Sequence, residues 1–144
     1  MPQGRIAFSS GGNLHDSDDW SATAFSLTFL HYAGLEKRFV NYDYNNHFGK
    51  YREACERIMD DAAKEGAKRF GLDVSKVFDA QTEKAAAIAN FVNEAKKSSA
   101  KNPLWLICAG SMQMAYEMKM YKTELSSVYN SFKGAYIYFC SFRL

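Results

Sequence analysis

Near its N-terminus the chain reads Gly11-Gly12-Asn13-Leu14-His15-Asp16-Ser17-Asp18-Asp19-Trp20. Three carboxylates stand within four positions of that run, beside a histidine and an asparagine. Carboxylates held so closely repel one another unless a cation, a proton or a set of donors offsets the repulsion. A bound cation or ligand is one way to meet that demand. A helix N-terminus is the other: Asp16, Ser17 and Asp18 are all competent N-caps, and unpaired N–H groups favour carboxylates there. One capping aspartate would be ordinary. Three, after Gly11-Gly12 and beside His15, exceed what a cap requires. His15 itself reads equally as a loop histidine bonded to backbone. A second polar tip, Asn45-Asn46-His47, follows an apolar run further on.

These residues need elements to position them. Residues 6–9 form an apolar run stopped by Gly11-Gly12, which predicts a first strand. Residues 21–33 predict a helix with a wide apolar arc, carried by Trp20, Ala24, Leu27 and Ala33 or by Phe25, Phe29 and Leu30. Gly34 suits its C′ position. The acidic run therefore falls where a strand hands over to a helix. In an open α/β sheet, ligands bind at that carboxyl end. Residues 38–44 predict a second strand, with Tyr42 and Tyr44 packing, so His47, in the polar tip after it, shares the same argument. A long amphipathic helix follows over 50–70, then a short strand within 74–79. Thr82 is placed to cap a helix over 83–97. Residues 103–109 are apolar throughout, as in a central parallel strand covered on both faces. A helix over 112 to about 125 and a strand within 135–142 complete the chain. His31, inside the first helix, reads as structural.

Strand and helix alternate along all 144 residues. The expected fold is an α/β single domain over 1–144: an open parallel sheet with helices on both faces, Rossmann-like. The formal net charge is only +2, so nothing draws the chain to nucleic acid or an anionic membrane. Cys55, Cys108 and Cys140 are far apart and odd in number, which argues against a disulfide framework or a zinc knuckle and favours buried thiols. The N-terminus has no secretory pattern, and no apolar run approaches the ~20 residues that span a bilayer. A cytoplasmic protein is expected. Ser9-Ser10-Gly11-Gly12-Asn13 lacks both the lysine of a P-loop and the spacing of a dinucleotide fingerprint.

With these elements in place, the chain resembles the nucleoside hydrolase family. A strand, polar residues ending in Asp18-Asp19 and then a helix are similar to its N-terminal D-x-D-x-x-x-D-D signature. Asn102-Pro103-Leu104-Trp105-Leu106-Ile107-Cys108-Ala109-Gly110-Ser111-Met112 resembles the later strand that ends in a Gly-Pro-Leu-Thr-like turn. Asn45-Asn46 falls where the family places an asparagine near the ribose. Gly12 and Leu14 stand where the family has its first two aspartates, and Cys140-Ser141-Phe142 stands in place of its Met-Gly-Gly ending. The resemblance covers the family's N-terminal half.

That resemblance implies an open α/β sheet that cleaves N-ribosidic bonds of nucleosides with a bound calcium ion. A related branch acts on, or binds, carbohydrates. By the same resemblance Asp16 and Asp19 hold the metal, with Asp16 also the base. Asp18 contacts ribose hydroxyls, and Asn13, His15, Asn45 and Asn46 complete the substrate side. The chemistry is coherent: calcium takes several oxygen ligands, and an aspartate can accept a proton from water. The expected ligand is a nucleoside or a sugar. The alternative is a non-catalytic or truncated α/β domain that binds a sugar or nucleotide. It would form a homodimer through its C-terminal region, where Met112, Met114, Met118 and Met120 could form an apolar surface.

Overall fold

The computed structural model describes residues 3–11, 17–46, 53–109 and 135–140, with the backbone alone for 17–20, 53–56 and 135–140. The predicted helix over 112–125, the methionine set on it and His47 lie outside the described residues.

Among the described residues five strands form one sheet: β1 (Arg5–Ser10), β2 (Phe39–Tyr44), β3 (Val77–Asp79), β4 (Leu104–Ala109) and β5 (Ala135–Cys140). Their order is β3-β2-β1-β4-β5, and every neighbouring pair is parallel. The four described helices are α1 (Ser17–Tyr32), α2 (Glu53–Asp60), α3 (Gly66–Arg69) and α4 (Lys84–Lys96). The chain steps from β1 to β2 to β3 by way of α1 and then α2 and α3. It returns past β1 to β4 by way of α4. A change of direction with a change of face is what right-handed crossovers require.

Each face has its own core. On one side Leu27 and Leu30 of α1, Met59 of α2 and Ala67 of α3 pack with Ile6, Phe39, Tyr42 and Tyr44. On the other, Ala87, Ile88, Phe91 and Val92 of α4 pack on Ala7, Leu104, Leu106 and Cys108. This is the expected open α/β sheet with helices on both faces. Tyr42 and Tyr44 are packing residues, and Tyr42 stacks on Phe8 at 5.5 Å. The Cys108 thiol is buried, as its apolar strand predicts.

Gly34 ends α1 with φ +65°. Its N–H reaches His31 O at 2.9 Å and Leu35 N–H reaches Leu30 O at 2.8 Å, the paired bonds of a Schellman cap. His31 is structural: Nδ1 lies 2.9 Å from Glu36 Oε1, and the ring packs on Phe70.

Several local expectations are corrected. In α1 the buried stripe is Thr23, Leu27 and Leu30, at helical spacing toward the sheet, while Ala24 is exposed. Phe25 is 69% and Phe29 57% exposed. They stack on each other beside a groove lined by Ile6, Phe8, Leu30, Leu35 and Ile107. The predicted long helix is interrupted by a π-helical stretch, Asp61–Glu65, between α2 and α3. The predicted third strand opens with a 3-10 turn, Val74–Lys76, capped by Asp73 Oδ1 on Ser75 N–H at 3.0 Å. Thr82 is not the cap of α4. Glu83 holds that position, without a side-chain bond to the helix.

β2 carries one irregularity that bears on the site. Ile6 pairs with Phe39 and Ala7 with Asn41, so Val40 is an extra residue. That bulge moves Asn41 and Asp43 to the α4 side of the sheet while Tyr42 and Tyr44 face α1 and α2.

Candidate functional site at the carboxyl ends of the strands

The strand order reverses between β1 and β4, which places the topological switch point at Ser10, Gly11 and Ala109. The three central strands are tied together there. Gly11 N–H donates to Ala109 O at 2.7 Å, and Asn46 N–H donates to Gly11 O at 2.9 Å. Ser10 Oγ and Thr23 Oγ1, both buried and 3.4 Å apart, hold α1 against the end of β1. Six residues after Gly11, α1 begins at Ser17, so the backbone of Asp18 and Asp19 forms its first turn. Their side chains, and all of Asn13, His15 and Asp16, lie outside the described residues.

Asn45 and Asn46 leave β2 at the same mouth. Asn45 adopts φ +57°, which asparagine tolerates better than other side chains bearing a Cβ. Its Nδ2 donates to Asp79 Oδ1 at 3.2 Å, and its carbonyl accepts Gln81 Nε2 at 2.7 Å. Asn45 is 1% exposed, and its Oδ1 is buried with no hydrogen-bond partner. An orphaned buried acceptor costs about 1–3 kcal/mol unless something donates to it. Asp79 Oδ1 also accepts Gln81 N–H at 2.9 Å. Beside it, Glu83 Oε2 accepts Asp79 N–H at 3.0 Å and Lys64 Nζ at 3.1 Å. Tyr44 donates its hydroxyl to Asp60 Oδ1, and Lys64 Nζ sits 3.2 Å from the same carboxylate. Burial and the Asp60 carboxylate push the Tyr44 hydroxyl up, so it stays protonated.

Beneath the mouth lies a buried polar cluster. Asp43 is fully buried, accepts Ser9 Oγ–H at 2.6 Å on Oδ1, and accepts Asn41 Nδ2 at 3.4 Å on Oδ2. Burial raises its carboxyl to about 7, against the opposing bonds from Ser9 and Asn41. Asn46 Nδ2 donates to Ser9 Oγ at 2.8 Å. Asn90 of α4 donates to Asn41 Oδ1 at 2.8 Å and to Val40 O at 2.9 Å. Cys108, on the other side of Ser9, is pushed up to about 12 by burial and by Asp43, so it is a neutral thiol.

The structure thus brings Asn45 and Asn46 to the strand ends from which the acidic run departs, with the backbone of Asp18 and Asp19 at the helix start. Sequence reasoning did not single out Ser9, Asp43 and Asp79. The available signal was Asn41 and Asp43 alternating with tyrosines inside an otherwise apolar strand. Among the described residues no group of three or more His, Cys, Asp or Glu is arranged to hold a metal. No described helix is long and apolar enough to cross a membrane.

A protein of Formosa agariphila, named only as uncharacterized protein P22, is 35% identical to this chain over 117 residues. The match covers 76% of this chain and 43% of that protein, so the chain spans under half the length of the curated relative it matches. No model of a known family matches the sequence. No solved structure matches it.

Proposed function

We propose that the mouth of the sheet is a sugar site of nucleoside hydrolase type, where a ribose-bearing ligand is bound and its N-ribosidic bond hydrolysed. The observation that carries this reading is the buried, unpartnered Oδ1 of Asn45 at the carboxyl end of β2. It is an acceptor waiting for a donor, and a sugar hydroxyl is one. The switch-point position and the acidic run entering α1 support it. In this reading Asn45, Asn46 and Asp18 receive sugar hydroxyls, and Asn13 and His15 close the substrate side. A cytoplasmic location fits a nucleoside substrate.

Asp16 and Asp19 would hold calcium. Their donor set is all oxygen, which suits a hard cation, and the buried Cys108 thiol on the α4 side offers no competing soft ligand at the mouth. Bound calcium would supply positive charge that orders the hydroxyls and makes a nearby water more acidic. Asp16 would take the proton from the attacking water as the water oxygen bonds to the anomeric carbon. The carbon–nitrogen bond breaks, and the departing base takes a proton from solvent. Carboxylates around the sugar stabilise the positive charge that develops on the ring.

The test is release of free base from inosine in calcium-containing buffer, with Asp19→Ala as the control. Calcium and ribose should each raise the melting temperature of the wild-type chain and leave Asp19→Ala unmoved. A wild-type melting temperature that ignores millimolar calcium overturns the metal site. One observation favours a second reading: Phe25 and Phe29 are exposed beside an apolar groove. A non-catalytic sugar-binding domain that pairs with a second copy would have reason to present such a surface. Ribose stabilisation without base release would select that reading.

A further inference from the structure

The buried polar groups between β1, β2 and α4 form a continuous relay whose bonds run toward Asp43 from both ends. From the mouth, Asn46 Nδ2 donates to Ser9 Oγ at 2.8 Å and Ser9 Oγ donates to Asp43 Oδ1 at 2.6 Å. From α4, Asn90 Nδ2 donates to Asn41 Oδ1 at 2.8 Å and Asn41 Nδ2 to Asp43 Oδ2 at 3.4 Å. An ionised carboxylate only accepts. These directions are therefore the ones that an ionised Asp43 imposes. We propose that Asp43 is a positioning residue for the mouth of the sheet: acting through Ser9, it fixes which end of the Asn46 side-chain amide is turned inward.

A protonated Asp43 must donate its O–H, and Ser9 Oγ is the acceptor beside it. The Ser9 hydroxyl then has to donate away from Asp43. Rotating the Asn46 amide gives it an acceptor, with Oδ1 turned toward Ser9 and Nδ2 away. The amide end turned away from Ser9 changes from acceptor to donor, and with it what Asn46 can offer a partner. What the mouth binds rests on the function proposed above; the relay does not.

The groups around Asp43 leave this reversal to Asp43 alone. β1 presents Ser9, and β4 presents Cys108, which burial keeps neutral. β3 places Phe78 opposite it, and α4 reaches it through Asn90 and Asn41. Asp79 and Glu83 lie at the end of β3, bonded to Asn45, Gln81 and Lys64. Among the described residues no basic side chain pairs with Asp43. Its carboxyl titrates at about 7, so the reversal falls in the neutral range.

The experiment is nuclear magnetic resonance on the ligand-free chain, following the Asn46 side-chain amide and the Asp43 carboxyl carbon from about pH 5 to about pH 9, a range that brackets neutrality. In the wild type both should titrate with one shared midpoint. In Ser9→Ala the Asp43 carbon should still titrate while the Asn46 amide loses its response. In Asp43→Asn the Asn46 amide should be insensitive to pH. An Asn46 amide that ignores pH in the wild type, or that still follows Asp43 in Ser9→Ala, overturns the proposal. Neither outcome depends on a sugar or calcium being bound, so failure here is distinct from failure of the proposed function.

Discussion

Ser9 of β1 and Asp43 of β2 are register partners, and the Ser9 hydroxyl donates to the Asp43 carboxylate at 2.6 Å where solvent reaches neither side chain. The contact exists because the extra residue at Val40 shifts the phase of β2. Without it, Asp43 would face α1 and α2, among Leu27, Leu30 and Met59. The bulge instead sets Asp43 beside Ser9 and joins the core of the sheet to the mouth through Asn46. A buried carboxylate in a central strand is costly unless its lone pairs are met, and here Ser9 and Asn41 meet them in part.

That cost gives a pH signature. The Asp43 carboxyl is raised from its ordinary 3.8 to about 7 in the folded chain, chiefly by burial. The folded state therefore binds more protons than the unfolded state between those values. The stabilisation is fully present below the unfolded value and is lost as pH rises through the folded one. Urea unfolding should show Asp43→Asn more stable than the wild type at about pH 8, by a few kcal/mol at most. The two should converge as pH falls through about 7 toward the unfolded value of 3.8. A constant difference across that range would show that Asp43 does not titrate in the fold.

Arg5 and Glu94 give the opposite slope. Arg5 Nη1 lies 2.6 Å from both Glu94 Oε2 and Glu94 O, tying the start of β1 to the last turn of α4. The side chains are only 12% and 10% exposed. Burial alone would raise the Glu94 carboxyl, but hydrogen bonds from Lys97 and then Arg5 outweigh it and hold the group below its usual range. This contribution is present above the unfolded value and is lost as pH falls. Arg5→Ala should cost roughly 1–3 kcal/mol by chemical denaturation, because Glu94 loses one of its two cationic donors while Lys97 still pairs with Oε1. Arg5→Lys should recover only part of that, since an ammonium cannot reproduce the fork.

Gly4 provides a backbone test at the same end of the sheet. It adopts φ +112°, and a Cβ there would overlap the carbonyl oxygen of Pro103 and approach Pro103 Cγ at 2.7 Å. Pro103 O accepts Arg5 N–H at 2.8 Å, so it cannot retreat without breaking the first bond between β1 and β4. Gly4→Ala should lower stability by roughly 1–3 kcal/mol, read as a drop in melting temperature. An unchanged melting temperature would show that the N-terminal end of β1 contributes little to the fold.

The alternation of apolar runs and amphipathic stretches made the sheet legible from sequence, because Gly4 and Gly11 bound β1, Asn45 ends β2, Pro103 opens β4 and Gly134 precedes β5. β4 was plainest, being apolar on both faces. The faces of α1 were not legible. Apolar residues surround that helix, so periodicity alone did not separate buried Leu27 and Leu30 from exposed Phe25 and Phe29. The π-helical stretch over Asp61–Glu65 has no compositional mark, because Ala, Lys and Glu suit an unbroken helix equally. Asn45 and Asn46 were marked by the resemblance, which places an asparagine after that strand. Asp43 was missed because one polar residue in a strand does not reveal which face it takes, and the bulge that decides it depends on pairing with β1.

Asn45 is where the fold and the proposed ligand can be separated. Its φ of +57° is a conformation that glycine adopts freely and that leucine adopts under strain. Asn45→Gly relieves the backbone and removes the orphaned acceptor, which together offset the lost bond from Nδ2 to Asp79, worth about 1 kcal/mol. Asn45→Leu keeps the strain, loses the bond and should cost about 2 kcal/mol or more. Both remove the buried Oδ1. If a sugar hydroxyl donates to that atom, Asn45→Gly should melt within a few degrees of the wild type yet lose the ribose-induced rise in melting temperature. A ribose response that survives in Asn45→Gly would mean that the unpartnered oxygen serves no ligand. The sugar site would then have to be sought elsewhere on the acidic run.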